Sequence, residues 1–142
     1  MAGLGTAVKS GQELEARVIA LGERLGLDAR RQVRVGKRLW GAERVIDVIL
    51  GHTNGKRLGV ECKYQGTTGS AEEKIPATIQ DLAAWPISGI VAFDGDGFSE
   101  RMRFYLLSTG KAVELEDLED WLRLYFGLPL AEEMTTAQAK LL

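Results

Sequence analysis

The 142-residue sequence predicts an α/β fold in which a small mixed β-sheet is flanked by helices. Two observations predict this fold. Amphipathic segments with apolar residues at helical spacing alternate along the chain with short, apolar, β-branched segments, which are typical of buried strands. In addition, Asn54-Gly55 separates two of the strand-like segments, and this dipeptide favours a two-residue hairpin turn. A chain of this length is expected to form a single domain, here residues 1–142.

The elements are predicted in the order helix, strands, helix, strand and C-terminal helix. The first helix begins at a capping box, because Ser10 is followed three residues later by Glu13. Residues 131–142 are expected to form a polar tail, either a short helix or a flexible end. The predicted segments are helix 10–27, strands 30–41, 43–51 and 56–65, helix 70–85, strand 88–95, a segment 100–110 that fits either a strand or a helix, and helix 114–128.

The composition argues against several kinds of protein. The single cysteine, Cys62, excludes an intrachain disulfide and a zinc site built from several thiolates. The single histidine, His52, argues against a zinc site built from several histidines. No apolar run approaches the roughly 20 residues that a membrane span needs, and the N-terminal segment lacks the apolar stretch of a signal peptide. We therefore expect a cytoplasmic protein that has no membrane partner.

Positive charge is concentrated in the first half of the chain. Residues 1–78 contain 13 lysines and arginines against 9 acidic residues, whereas residues 79–142 contain 5 against 11. The basic residues gather in segments 29–45 and 55–59. Such a cluster is either a binding surface for a polyanion or an ordinary solvated surface, and charge alone leaves both open.

The segment VECKYQ places three polar side chains on one face of a predicted strand. Alternate residues of a strand face the same side, so Glu61, Lys63 and Gln65 share a face. Cys62 faces the opposite side, as a core residue. Asp47 lies within the apolar segment VIDVIL, where an unpaired buried carboxylate costs free energy. Folding the predicted hairpin brings Asp47 near Glu61.

Two carboxylates from neighbouring strands form a site of hard oxygen ligands. Such ligands suit Mg²⁺ or Mn²⁺, which usually keep several waters and share their coordination with a substrate phosphate. Near a metal ion and a phosphate, Lys63 could orient or deprotonate an attacking water, or stabilise developing negative charge. The same charged residues also fit a second interpretation, a buried ion-pair network without a metal.

This set of residues resembles the active site of the PD-(D/E)XK nuclease superfamily, whose fold is that of restriction endonucleases and archaeal Holliday-junction resolvases. The resemblance rests on Asp47 in VIDVIL and on Glu61 and Lys63 in VECKYQ, which a hairpin separates. It extends to Glu15 in GQELE, because the family places a glutamate on its first helix. The proline of the motif's name is absent, since Ile46 precedes Asp47.

The resemblance implies a restriction-endonuclease-like core and a Mg²⁺-dependent DNA endonuclease in which Mn²⁺ can substitute for Mg²⁺. The site residues that it implies are Asp47, Glu61 and the Cys62 backbone carbonyl as metal ligands, Lys63 as the residue that assists the water or stabilises the transition state, Glu15 in the outer sphere of the metal, and Gln65 as a supporting side chain.

DNA is the partner that the resemblance implies. The segment QGTTGSAEEKIPATI resembles a stretch that follows the E-x-K strand in some restriction-type members, and on that basis Lys74 approaches DNA. The basic cluster adds Arg34, Lys37 and Arg38 as candidate DNA-binding residues.

A homodimer is expected, because a small domain of this kind must cut two strands. Apolar surface near Trp121 and Tyr125 is the candidate interface. Two alternatives to a restriction-like endonuclease stay open: a structure-specific nuclease of the Holliday-junction-resolvase type, and a non-catalytic DNA-binding module on a nuclease fold.

Overall fold

A computed structural model describes residues 8–37, 41–67 and 74–130 of the chain. Arg38 and the predicted tail at 131–142 lie outside the described residues. Within the described part, the chain forms five strands and four helices, in the order α1 (Gly11–Arg24), β1 (Asp28–Lys37), β2 (Glu43–Gly51), β3 (Arg57–Tyr64), α2 (Ile75–Leu82), β4 (Gly89–Asp94), α3 (Glu100–Ser108), β5 (Ala112–Glu114) and α4 (Leu115–Phe126).

The strands form one mixed sheet in the order β1-β2-β3-β4-β5. β1, β2 and β3 pair antiparallel as a meander, whereas β4 joins β3, and β5 joins β4, in parallel. Each parallel pair is connected by a helix, α2 and then α3, because parallel neighbours require a crossover. The α/β fold with a small mixed sheet and flanking helices is therefore confirmed.

Helices cover both faces of the sheet. On one face, α1 and α4 pack through a cluster of buried residues that includes Leu14 and Leu118. On the other face, α2 and α3 contribute Ile75 and Leu106 to a second cluster that also contains Phe93 of β4. None of the described helices is both long and apolar enough to cross a membrane.

The start of α1 follows the predicted cap in part. The Ser10 hydroxyl accepts a hydrogen bond from the Glu13 N–H at 3.1 Å, as a helix cap requires. The Glu13 carboxylate, however, accepts from the Lys9 N–H at 2.7 Å, one residue before the position that a reciprocal capping box uses. Segment 100–110, which the sequence left open between strand and helix, contains α3, whose first turn is capped by the Ser99 hydroxyl.

The hairpin between β2 and β3 has a longer loop than the sequence predicted. Gly51 pairs with Arg57, so five residues rather than two lie between the last paired positions. The His52 N–H donates to the Lys56 carbonyl, and Gly55 adopts a φ of +91° within the loop. The two-residue turn was therefore wrong, although Gly55 does supply the left-handed conformation that favours glycine. Continuing the observed register places Asp47 opposite Glu61.

Two paired glycines make room for the indole ring of Trp85. Gly59 of β3 lies opposite Gly89 of β4, and a Cβ added to Gly59 would lie 2.7 Å from the ring. A Cβ added to Gly89 would overlap the same ring. The side chain of Trp85 is buried against this bare stretch of backbone, and its Nε1–H donates to Asp81 at 3.2 Å. The glycines thereby let the indole ring, which follows α2, pack directly on the backbone of β3 and β4.

We predict that Gly89→Ala lowers the free energy of unfolding by about 1–3 kcal/mol, because the added methyl group forces Trp85 out of its position. Urea unfolding of the two proteins measures this difference. Gly11→Ala is the matched control, since a Cβ there meets nothing within 4 Å and alanine favours the helix. A Gly89→Ala protein as stable as the wild type would contradict this packing.

Candidate active site

The candidate site lies where β2 and β3 stop pairing. The regular ladder between them runs from Gly51 and Arg57 to Val48 and Val60. At the next position the Asp47 side chain takes the place of a backbone acceptor, because its Oδ2 accepts a hydrogen bond from the Cys62 N–H at 2.9 Å. Asp47 is thereby held against the peptide that joins Glu61 to Cys62.

An irregularity in two strands turns Asp47 toward β3. Ile46 and Val48 are two residues apart in β2, so a regular strand would place both on one face. They belong instead to the apolar clusters on opposite faces of the sheet. Ala29 and Val35 of β1 show the same change of face. In a regular strand every second residue faces the same side of the sheet. The alternation of side chains therefore breaks in both strands in this region, which contains Asp47.

Glu61 and Lys63 face a cleft between β3 and α2. Glu61 is 7% exposed, and its Oε2 lies 3.8 Å from Lys63 Nζ. The cleft has a volume of about 670 Å³, and Lys74 and Asp81 lie on its α2 wall. Glu61, Lys63 and Lys74, which were singled out in the sequence, therefore line one cavity. We refer to this cavity as the cleft.

The α2 wall of the cleft is tied to the beginning of β2. Arg44 donates to both carboxylate oxygens of Asp81, at 2.9 and 3.2 Å. The hydrogen bond to Asp81 raises the pKa of the Arg44 guanidinium above its ordinary value, and the carboxylate charge acts in the same direction. Asp81 also accepts from Trp85, so one carboxylate connects the wall of the cleft to the sheet.

Glu15 reaches the site from α1 through a residue that the sequence did not single out. Its Oε1 accepts from Arg31 Nε at 3.1 Å and from Gln32 Nε2 at 2.8 Å. The same Gln32 nitrogen lies 3.1 Å from Asp47 Oδ1. Gln32 thus links the carboxylates of Glu15 and Asp47. No local pattern in the sequence identifies Gln32, because its place opposite Asp47 follows from the β1–β2 register, which pairs Arg31 with Val48.

The thiol of Cys62 is buried, and the charges of three carboxylates act on it. Burial raises the pKa of this thiol well above its ordinary value, and the negative charges of Asp47, Glu15 and Glu61 raise it further. The positive charge of Arg31 acts in the opposite direction. Cys62 belongs to the apolar cluster under α1 and α4, so the sequence-based assignment of its side chain to the core agrees with its position.

Gln65 lies outside the cleft. Its Nε2 donates to the Gly97 carbonyl at 2.8 Å, and its backbone binds Asp94 and Gly97. Its Oε1 is buried and has no hydrogen-bond partner among the described residues. The side chain therefore holds the loop after β4 against the end of β3. It does not line the cleft with Glu61 and Lys63, although the sequence places the three residues on one strand face.

The remaining predicted DNA-binding residues lie on the edge strand. Arg34 is exposed and lies 3.3 Å from Glu43, and Lys37 is exposed at the end of β1. Trp121 and Tyr125 stack on each other on α4, with ring centroids 5.3 Å apart. Since α4 packs on the face of the sheet opposite to α2, these two rings lie on the other side of the sheet from the cleft.

The donors near Asp47 fit a hard divalent cation. The carboxylates of Asp47 and Glu61 and the backbone carbonyl of Cys62 are all oxygen ligands, as Mg²⁺ and Mn²⁺ prefer. Asp47 uses one hydrogen bond on each oxygen, and a carboxylate has about four lone-pair positions in total. Its oxygens therefore keep capacity for a cation.

A second, more exposed group of acidic side chains lies at the start of α4 within the described residues. It consists of Glu114, Glu116 and Asp117.

We predict that the Cys62 thiol of the native protein reacts with a disulfide reagent at pH 8 at less than about a tenth of the rate of the urea-unfolded chain, because burial limits access and the raised pKa keeps the thiolate fraction low. As the chain has a single cysteine, the absorbance change reports this residue alone. Equal rates in the native and unfolded states would contradict the position assigned to Cys62.

Comparison with known proteins identifies the family. No curated protein matches the chain, whereas a family model described as a PD-(D/E)XK nuclease superfamily domain matches residues 6–122. Among solved structures, the chain is similar to AF1548, a protein of unknown function, with 22% identity and a TM-score of 0.50, over 70% of this chain and 55% of that one.

Two further structures are more distant. VC1899 from Vibrio cholerae has 14% identity and a TM-score of 0.49, over 78% of this chain and 30% of that one. A repair endonuclease from Pyrococcus abyssi has 14% identity and a TM-score of 0.41, over 78% of this chain and 50% of that one. The chain thus spans 55% of the length of AF1548, 30% of that of VC1899 and 50% of that of the repair endonuclease. The likeness to AF1548 is one of fold. On the family match over 6–122, the chain belongs to the PD-(D/E)XK nuclease superfamily.

Proposed function

We propose that the protein is a Mg²⁺-dependent DNA endonuclease that hydrolyses phosphodiester bonds and accepts Mn²⁺ in place of Mg²⁺. The observation that carries the proposal is the hydrogen bond from the Cys62 N–H to Asp47, because it holds the Asp47 carboxylate at the peptide that joins Glu61 to Cys62. Membership of the nuclease superfamily supports this reaction class. Asp47, Glu61 and the Cys62 carbonyl would hold the metal ion, which when bound supplies a Lewis acid that stabilises charge on the phosphoryl group.

Lys63 places a positively charged side chain in the cleft. Its side chain is 36% exposed, so its ammonium group can reach a bound phosphate, while Glu61 holds it from one side at 3.8 Å. In this position Lys63 would orient the attacking water or stabilise the negative charge that develops on the phosphate. Glu15 would act on Asp47 from the other side of the strand, through Gln32.

Lys74 would hold the DNA backbone at the mouth of the cleft. It is exposed, precedes α2, and lines the same cavity as Lys63. Two lysines along one cavity suit a chain of phosphates, whose contacts position DNA without reading its sequence. Arg34 and Lys37 would extend the contact along β1.

The substrate is either a plain duplex or a branched junction. The stretch after the E-x-K strand resembles restriction-type members, which favours a duplex, whereas the resemblance to Holliday-junction resolvases leaves a branched junction open. Comparing cleavage of supercoiled plasmid with cleavage of a four-way junction separates the two. A protein that binds DNA equally well with and without Mg²⁺ and never cuts it would instead be the non-catalytic module.

A cytoplasmic homodimer completes the proposal. Leu124 is 67% exposed on α4, next to the stacked rings of Trp121 and Tyr125. Because α4 lies on the opposite face of the sheet from α2, a dimer formed through α4 would leave both clefts accessible to DNA. Sedimentation of the wild type and of Leu124→Glu tests this interface.

We predict that Lys63→Ala lowers the cleavage rate by about 100- to 10,000-fold, because a positioned charge and proton-transfer group is lost. Asp47→Asn should abolish Mn²⁺ binding and cleavage while it keeps the fold, since an amide oxygen can still accept from the Cys62 N–H. Plasmid nicking and calorimetry measure these effects.

Lys111→Ala and Asp120→Asn are the matched controls for these two variants. Both residues are exposed, and neither lines the cleft. They should cut at the wild-type rate. Full cleavage by either site variant would remove that residue from the proposed active site.

We predict that Lys74→Ala weakens DNA binding uniformly across sequences and reduces the slope of log affinity against log salt by about 1, because one phosphate contact is lost. Fluorescence anisotropy at several salt concentrations, in Ca²⁺ to prevent cleavage, measures the slope. An unchanged slope would mean that Lys74 does not contact a phosphate.

A further inference from the structure

Gln32 has a left-handed backbone conformation in the part of β1 where the strand changes face. Its φ is +54°, and it is the sole non-glycine residue at positive φ in the ranges that the structure describes. This conformation costs free energy for any residue with a Cβ. Gln32 is also exposed, so burial of its side chain does not offset that cost.

The conformation lets one amide nitrogen serve two carboxylates. Gln32 Nε2 donates to Glu15 Oε1 at 2.8 Å and to Asp47 Oδ1 at 3.1 Å. An amide nitrogen carries two hydrogens, so both are used. Within the described part of β1, Gln32 is the residue whose side chain donates a hydrogen bond to Asp47.

The orientation of Asp47 depends on this bond. The Cys62 N–H holds Oδ2 from β3, and Gln32 holds Oδ1 from β1. With one fixed partner on each oxygen, the carboxylate cannot rotate about its last bond without losing a hydrogen bond. Arg31 in turn holds Glu15 at 3.1 Å, so the far end of the chain of contacts is anchored as well.

We propose that Gln32 is a positioning residue, whose amide fixes the Asp47 carboxylate in the orientation that binds a divalent cation. This inference rests on the metal site of the proposed function. Partners that hold a ligating carboxylate from behind typically change metal affinity or activity by about 10- to 100-fold when they are removed. The residue acts through Asp47 and does not itself touch the substrate.

The test is calorimetric titration of Mn²⁺ into Gln32→Gly, with urea unfolding of the same protein. Glycine accepts the positive φ and removes the whole side chain, including the amide. We expect Mn²⁺ to bind about 10- to 100-fold more weakly, with a metal-free stability close to that of the wild type. Unchanged Mn²⁺ affinity in the folded variant would overturn the proposal.

A second variant, Gln32→Met, tests the proposal if Gln32→Gly does not fold. Gln32→Met keeps the length of the side chain and lacks both donors, so it should show the same loss of Mn²⁺ affinity. Gln12→Ala is the matched control, because it removes an exposed glutamine amide from the neighbouring helix α1 and should leave the affinity unchanged. Equal losses in Gln12→Ala and Gln32→Gly would also overturn the proposal.

Cleavage kinetics separate this inference from the proposed function. Gln32→Gly should lower kcat at limiting Mn²⁺ without changing KM for DNA, and saturating Mn²⁺ should restore most of the rate. If the wild type binds Mn²⁺ through Asp47 but cuts no DNA, the nuclease proposal fails while a weakened affinity in Gln32→Gly still supports the positioning role. A wild type that does not bind Mn²⁺ overturns the positioning role itself.

Discussion

The hydrogen bond between the Cys62 N–H and the Asp47 carboxylate is the contact on which the candidate site depends. Backbone pairing of β2 and β3 ends at Val48 and Val60, so the next amide of β3 on that side needs another acceptor. Asp47 provides it at 2.9 Å. A single carboxylate therefore accepts the hydrogen bond that β2 would otherwise supply and places a negative charge at the peptide between Glu61 and Cys62. The strands can separate there without leaving a polar group unsatisfied, and this separation is what makes a site possible.

The charges around this contact are arranged on both sides of the sheet. Glu15 approaches from the layer of α1, whereas Glu61 and Lys63 face the cleft under α2. Burial raises the pKa of the Cys62 thiol, and the negative charges of Asp47, Glu15 and Glu61 raise it further. Carboxylates held close together destabilise the native state, and a bound cation would offset this and stabilise the folded protein.

Local signals in the sequence predicted most of the fold, but they did not predict contacts between residues far apart in the chain. The cap at Ser10 and the shared face of Glu61 and Lys63 depend on neighbouring residues and were predicted correctly, whereas the Glu13 half of the capping box and the placement of Gln65 on that face were wrong. The hairpin loop was predicted too short, because Asn54-Gly55 also fits inside a five-residue loop in which the His52 N–H donates to the Lys56 carbonyl. The role of Gln32 depends on a strained φ and on a register that no local pattern encodes. The Gln65 amide binds Gly97, a partner 32 residues away, which strand alternation cannot reveal.

The most direct test of the central claim is to locate Mn²⁺ by anomalous scattering in crystals of the wild-type protein. We expect an ion bound by the carboxylates of Asp47 and Glu61, with the Cys62 N–H still donating to Asp47. An ordered ion at the acidic group of Glu114, Glu116 and Asp117 alone, with Asp47 and Glu61 unoccupied, would contradict it. In that case the hydrogen bond at Cys62 would serve the sheet, and the charged residues around it would be a structural ion-pair network.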